Sequence, residues 1–222
     1  MVGVGGEMPV RKDMLVEDGL YHVFNKSIAG FKIFNNRDEF KRILEVICYY
    51  QNVNQSIEYS RFVRDEKNAQ FCVSKPDEKF VEVIAYCIMP THLHLILKQV
   101  KKNGISVFMG NVQNSYSRYF NIKHKRKGPL WEGRFKNVLI KDDEYLLHLT
   151  RYIHLNPVSA GIVDRPEDWL DSSYVEYLGK TKDRICSYED LLDLDSVSYK
   201  EFVEDRISYQ RELEKIKSLV LE

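Results

Sequence analysis

No apolar run in this chain approaches the about 18–20 residues needed to cross a membrane. Its beginning, MVGVGGEMPV, lacks a basic stretch followed by a long apolar core. No membrane association and no secretory signal are therefore expected, and residues 1–18 read as a flexible leader. Cysteine is sparse: Cys48, Cys72, Cys87 and Cys186 are widely scattered, with no CxxC pair. That spacing speaks against a zinc site and predicts reduced thiols in a cytoplasmic protein. Internal repeats and low-complexity tracts are also missing, which leaves a soluble globular chain with 44% hydrophobic and 30% charged residues.

Net charge is absent as well, with 33 basic and 33 acidic residues. The total conceals a strong local imbalance. Residues 101–141 carry ten Lys and Arg (among them Lys123, Lys125, Arg126, Lys127, Arg134 and Lys136) against one acid, Glu132. Beyond residue 163 the balance turns acidic. A charge run by itself describes a solvated face. Here Tyr116, Tyr119, Phe120, Trp131 and Phe135 are interleaved with the cations, a pattern that suits nucleic acid.

Periodicity sets the element order. LYHVFNKSI (20–28) alternates apolar and polar residues and predicts a strand. After candidate caps Asn35 and Asn36, Phe40, Ile43, Leu44 and Ile47 recur at helical spacing. Residues 51–78 are polar and aperiodic, a long and partly helical connection. KFVEVIAYCIMP (79–90) and THLHLILKQV (91–100) predict an antiparallel pair of strands. A helix over 104–122, a basic loop KHKRKGPLWEG and a strand RFKNVLIK follow. A third helix opens at Asp142–Asp143 and is expected to stop at Pro157. This β-α-β-β-α-β-α order predicts an α+β fold, an antiparallel sheet with helices on one face. Residues 162–179 read as an extension packed through Trp169, Tyr174 and Tyr177. Residues 181–222 read as an acidic helical extension whose end, EFVEDRISYQRELEKIKSLVLE, is amphipathic.

MPTHLHLIL (89–97) poses the chemical question. On a strand His92 and His94 share one face while Leu93, Leu95 and Leu97 take the other, which belongs to the core. Two same-face imidazoles can clamp one divalent ion, each through a neutral ring nitrogen. In RYIHLNP, Tyr152 and Asn156 share a helix face at a spacing of four, with His148 one turn earlier. Read blandly, Tyr152 is a core aromatic and Asn156 a helix cap.

The motifs YHV (21–23), MPTHLHL (89–95), GPLWEGRF (128–135), RYIHLNPVSAG (151–161) and DWLDSSY (168–174) occur in that order. Together they resemble the single-tyrosine transposases of the IS200-like superfamily, and most of all the REP-associated tyrosine transposases. The likeness covers about residues 19–180, with the acidic tail outside it. These are HUH enzymes, named for a His-hydrophobic-His strand like His92-Leu93-His94. The resemblance implies a ferredoxin-like HUH fold, Tyr152 as nucleophile, and His92, His94 and Asn156 as ligands of Mg²⁺ or Mn²⁺. It implies nicking and rejoining of single-stranded or hairpin DNA through a 5′-phosphotyrosine, by a monomer or by a homodimer that exchanges tyrosine helices.

His148 and His154 are candidate proton relays for a tyrosine whose ordinary pKa is about 10. Lys127, Arg134 and Lys136 are candidate phosphate contacts. Trp131 either stacks on an unpaired base or anchors the core, whereas Phe135 is expected in the core. Two other readings keep the same residues: a hairpin-binding module without turnover, and a replication-initiator-like nickase with another target.

Overall fold

Four strand-forming runs pair into one antiparallel sheet in the computed structural model, which describes residues 14–53, 58–65, 78–181, 184–193 and 195–212. The leader to residue 13, residues 54–57 and 66–77 of the connection, and the tail from residue 213 lie outside the described residues. The strands are β1 (Leu20–Lys26), β2 (Val81–Met89), β3 (His92–Gln99) and β4 (Lys136–Ile140). They lie in the order β2-β3-β1-β4, every pair antiparallel. Two crossover helices return the chain: α1 (Arg37–Tyr50) after β1 and, beyond the short α2 (Tyr59–Asp65), α3 (Gly104–Lys123) after β3. The result is the ferredoxin-like arrangement expected from the sequence.

Local chemistry sets the helix starts. The Asn36 side chain accepts the Glu39 N–H and caps α1, burying Phe40, Ile43 and Ile47. The chain enters α3 at Gly104, packed so closely on the Phe80 carbonyl that a Cβ there would overlap it. α4 (Asp143–Ser159) begins under an Asp142 cap, whose Oδ1 accepts from Tyr145 N at 2.7 Å.

α4 does not stop at Pro157. It runs through the proline to Ser159 and closes with Ala160 N–H on the Asn156 carbonyl at 3.0 Å. The proline forfeits the bond that its own N–H would have made, and its ring crowds the carbonyl four residues back, a cost that packing has to offset. Burial of Leu155, Pro157 and Val158 holds the turn together. Asn156 therefore stays helical, one turn beyond Tyr152.

The expectation of helices on one face is corrected. α1 and α3 cover one face with Val23, Val83, Leu93, Leu95 and Leu97. α4, α5 (Tyr174–Tyr177) and α6 (Ser196–Glu204) cover the other with Ile84, Ala85, Cys87, Ile96 and Ile140. An irregularity between Val83 and Ala85 lets Ile84 and Ala85 both face the second layer. Beyond it the alternation of β2 is re-phased. With both faces covered, β3 is buried along nearly its whole length.

The stretch after α4 packs as expected. Trp169 Nε1 donates to Ile88 O at 3.0 Å and Tyr177 Oη to Ile84 O at 2.8 Å. Glu176, buried, accepts from Tyr86 Oη at 2.9 Å and from the N–H groups of Ile185 and Cys186 at 3.0 Å. Cys87 and Cys186 are free buried thiols, their pKa values pushed up by burial. Cys48 departs from the expectation of reduced thiols, being disulfide-bonded. A pairing of that kind depends on approach in space, which spacing along the chain does not encode. Among the described residues no helix is long and apolar enough to cross a membrane.

Candidate functional site

The alternation of β1 and β3 builds a row of polar and aromatic side chains beneath α4. Register places His22 opposite Ile96, Phe24 opposite His94 and Lys26 opposite His92. His22, Phe24 and Lys26 thus share the face that carries both histidines of the motif. His92 and His94 stand 5.1 Å apart between ring centroids, nearly perpendicular. The Asn156 side chain lies beside the His92 ring. Tyr152, 41% exposed, meets His94 edge-on at 5.9 Å. Strand and helix therefore bring His92, His94, Tyr152 and Asn156 together.

Sequence reasoning assigned no role to His22, yet it belongs to the cluster. Its Nε2 lies 2.9 Å from His94 Nδ1, the two rings stacked at 5.1 Å. The signal was available in YHVFNK, where a period of two aligns His22, Phe24 and Lys26. Lys26, exposed at the end of β1, supplies a cation beside both motif histidines.

Burial keeps these imidazoles neutral. It lowers the His22 pKa to about 4. The His94 pKa falls well below the ordinary value through burial first, then the neighbouring His22, His92 and Lys26. Burial also lowers that of His92, opposed by the neighbouring Asn156 side chain. Neutral imidazole is the form that ligates a metal. His94 Nδ1 is occupied by His22 and His92 Nδ1 by Thr91 Oγ1 at 3.0 Å, which leaves each Nε2 for another partner. Among the described residues no three His, Cys, Asp or Glu side chains are grouped to hold an ion. The donors at hand are two imidazoles and an amide oxygen. That set fits a divalent ion whose remaining positions are filled by phosphate and water oxygens.

The candidate relays part company. His154 is fully buried between Tyr199 Oη and Ser173 Oγ, each 2.7 Å from a ring nitrogen. At two residues from Tyr152 it points roughly 200° around the helix, into the core. A relay through it is excluded because both nitrogens are committed to that core bond network. His148 remains at the surface, but Arg151 lies 2.7 Å from its Nδ1. Guanidinium only donates, so that nitrogen's lone pair is taken.

The candidate DNA contacts also divide. Lys127, Arg134 and Lys136 are exposed, and Lys136 lies opposite Phe24 on the histidine face. Trp131 does not stack outward. It is buried near Phe34 and Tyr116, both with ring centroids at 6.4 Å, and its Nε1 donates to Gln113 O at 3.3 Å. An isolated Ser27–Trp131 bridge draws it in beside β1. Phe135 is buried as expected.

Comparison with known proteins adds an independent line. Residues 46–156 match a family described as transposase, IS200 like, a span that holds His92, His94, Tyr152 and Asn156. A Haemophilus influenzae relative named as a candidate REP-associated tyrosine transposase is 29% identical over 103 residues, 42% of this chain. A REP-associated tyrosine transposase of Escherichia coli K12 is 26% identical over 101 residues, 45% of this chain. The chain spans 58% of the length of each of these relatives. A solved structure of a REP-associated tyrosine transposase bound to a REP hairpin superposes with a TM-score of 0.51 at 16% identity. It covers 85% of this chain and 96% of that one, a likeness of fold.

Proposed function

This chain belongs to the IS200-like transposase family, and from that premise we propose that it nicks single-stranded DNA beside a hairpin and transfers the strand through Tyr152. The observation that carries the reading is the meeting of Tyr152 with His94 at 5.9 Å, with Asn156, one turn on, beside His92. A nucleophile half in solvent beside neutral imidazoles is open to a DNA strand. A core aromatic would be covered.

In the reaction the Tyr152 oxygen forms a bond to a backbone phosphorus and the bond from phosphorus to the 3′-oxygen breaks. The products are a 5′-phosphotyrosine and a free 3′-hydroxyl. The phenol proton leaves to water at the exposed face of Tyr152, and the departing 3′-oxygen takes a proton from solvent. Because the phosphodiester energy is kept in the covalent link, a second 3′-hydroxyl reverses the step and joins a new strand. His92, His94 and Asn156 would hold Mg²⁺ or Mn²⁺, with the two imidazoles favouring Mn²⁺ in affinity. Such an ion polarises a non-bridging phosphate oxygen when bound. Lys26 and Lys136, on the same face, neutralise the phosphates of the strand.

The test is incubation of the full chain with a hairpin bearing single-stranded flanks and Mn²⁺. A covalent protein–DNA adduct that disappears in Tyr152→Phe supports the reading. Tight hairpin binding with no adduct under several divalent ions and flanks would overturn it in favour of a binding module without turnover.

A further inference from the structure

The end of the sheet that carries His92 has a second feature, on the α3 side. A depression of about 880 Å³ lies there, lined by Phe31, Lys32, Phe120, His124, Lys125 and Arg126 among others. Its floor is tied to the turn between β2 and β3. Ser27 N donates to Thr91 O at 2.8 Å, and the N–H groups of Ile33 and Phe34 donate to Pro90 O at 2.9 and 3.1 Å. Between these anchors Ala29 (φ 51°) and Gly30 (φ 66°) both adopt left-handed backbone, a turn that throws Phe31 outward.

Phe31 is 52% exposed and stands edge-on to Phe120 at 6.5 Å, so it is not laid flat on the core. The Arg126 guanidinium carbon lies 5.8 Å from the Phe31 centroid. Its nitrogens are steadied by neutral acceptors, Asn121 Oδ1 at 3.1 Å and Pro129 O at 2.8 Å. Glu39 is consumed by His124 and Lys123, at 2.7 and 3.0 Å. Among the described residues no carboxylate pairs with Lys32, Lys125 or Arg126. An exposed aromatic ring fixed beside cations without anionic partners is the chemistry that holds an unpaired base with its phosphate. An acidic peptide would satisfy the cations and leave Phe31 without a partner.

Position agrees with that chemistry. Phe31 lies four residues along the chain from Ser27, a reach of at most about 14 Å. Ser27 is bonded to Thr91, the neighbour of His92. We propose that this depression is a subsite for an unpaired nucleotide of the DNA strand flanking the reacting phosphate. Its base stacks on Phe31 and its phosphate is held by Lys32, Lys125 and Arg126. The flanking position rests on the reading of Tyr152 as nucleophile, whereas the preference for an unpaired base stands on the depression itself.

The experiment measures binding of the full chain to a short single-stranded oligodeoxynucleotide and to a duplex of the same sequence, by fluorescence anisotropy at fixed salt. Phe31→Ala is expected to weaken single-strand binding about tenfold, the loss of one base–aromatic stack, with duplex binding little changed. Phe31→Trp should restore it, and Lys32→Glu should weaken it further. Wild-type affinity in Phe31→Ala, an equal loss on both DNAs, or no single-strand binding by the wild type would overturn the proposal. The adduct assay separates the two readings. Adduct with an indifferent Phe31 sinks the subsite alone, and a Phe31-dependent preference without adduct sinks the transferase alone.

Discussion

His22 Nε2 lies 2.9 Å from Nδ1 of His94, although 72 positions separate the two residues. Both are buried and neither nitrogen has a carboxylate to answer it. One nitrogen must donate and the other accept. For His94 to offer its Nε2 lone pair outward, the proton belongs on Nδ1 and His22 must accept it. His22 thereby sets the tautomer and ring orientation of His94, the task that a carboxylate or carbonyl performs behind many metal-binding histidines.

His22→Phe keeps a stacked ring at that place and removes the acceptor. Mn²⁺ binding followed by isothermal titration should weaken about 10–100-fold, with the far-UV circular dichroism unchanged. Without the ion the variant is expected to lose about 1–3 kcal/mol of stability, because a buried His94 nitrogen is left without its acceptor. Wild-type Mn²⁺ affinity in the variant would show that packing alone orients His94.

The helix that carries Tyr152 is held from behind by α6. Tyr199→Phe leaves a nitrogen of His154 without its partner in a sealed apolar layer, since Tyr199 and Ser173 are its two bonds. The expected cost is about 1–3 kcal/mol in urea denaturation. Unchanged stability would mean that the layer rearranges to satisfy His154 some other way.

Glu39 links the start of α1 to the end of α3 and governs an acid limb of stability. Its burial pushes the carboxyl up, but bonds from the Asn35 side chain and backbone, His124 and Lys123 outweigh that and hold the pKa at about 2. A depressed folded value means that the unfolded chain binds the proton first. The contribution is complete above about pH 4.5, the ordinary value, and is lost as pH falls toward about 2. Glu39→Gln should lower stability at neutral pH and flatten this limb in pH-dependent thermal melts. Parallel acid limbs in the two proteins would refute it.

Gly104→Ala probes the corner where β3 hands the chain to α3. The new methyl group would overlap the Phe80 carbonyl, which also accepts from Val100 N at 3.1 Å. A loss of about 1–3 kcal/mol is expected from forced displacement of that corner. Chemical denaturation measures it, and a neutral result would mean that Phe80 yields without cost.

Much of the fold was legible because its elements obey local periods. β3 and the face shared by Tyr152 and Asn156 follow from repeats of two and of 3.6 residues. Pro157 reads locally as a stop, whereas the burial of Leu155 and Val158 that carries the helix past it depends on distant segments. Trp131 sits in a basic loop by sequence and beside Phe34 and Tyr116 in space. His154, one of two relay candidates on one helix, went to the core because two residues along a helix nearly reverse direction.

Sequence alone determined which side chains share a face: His92 with His94, Tyr152 with Asn156, and His22 with Lys26. Backbone geometry dictates these pairings within a few residues, so a short window contains all the information. Tertiary structure decided which faces meet. The register of β1 on β3 brought His22 to His94. The second helical layer buried His154 and left Tyr152 half in solvent. Those outcomes depend on burial summed over contacts between segments far apart in the chain, which no local window holds.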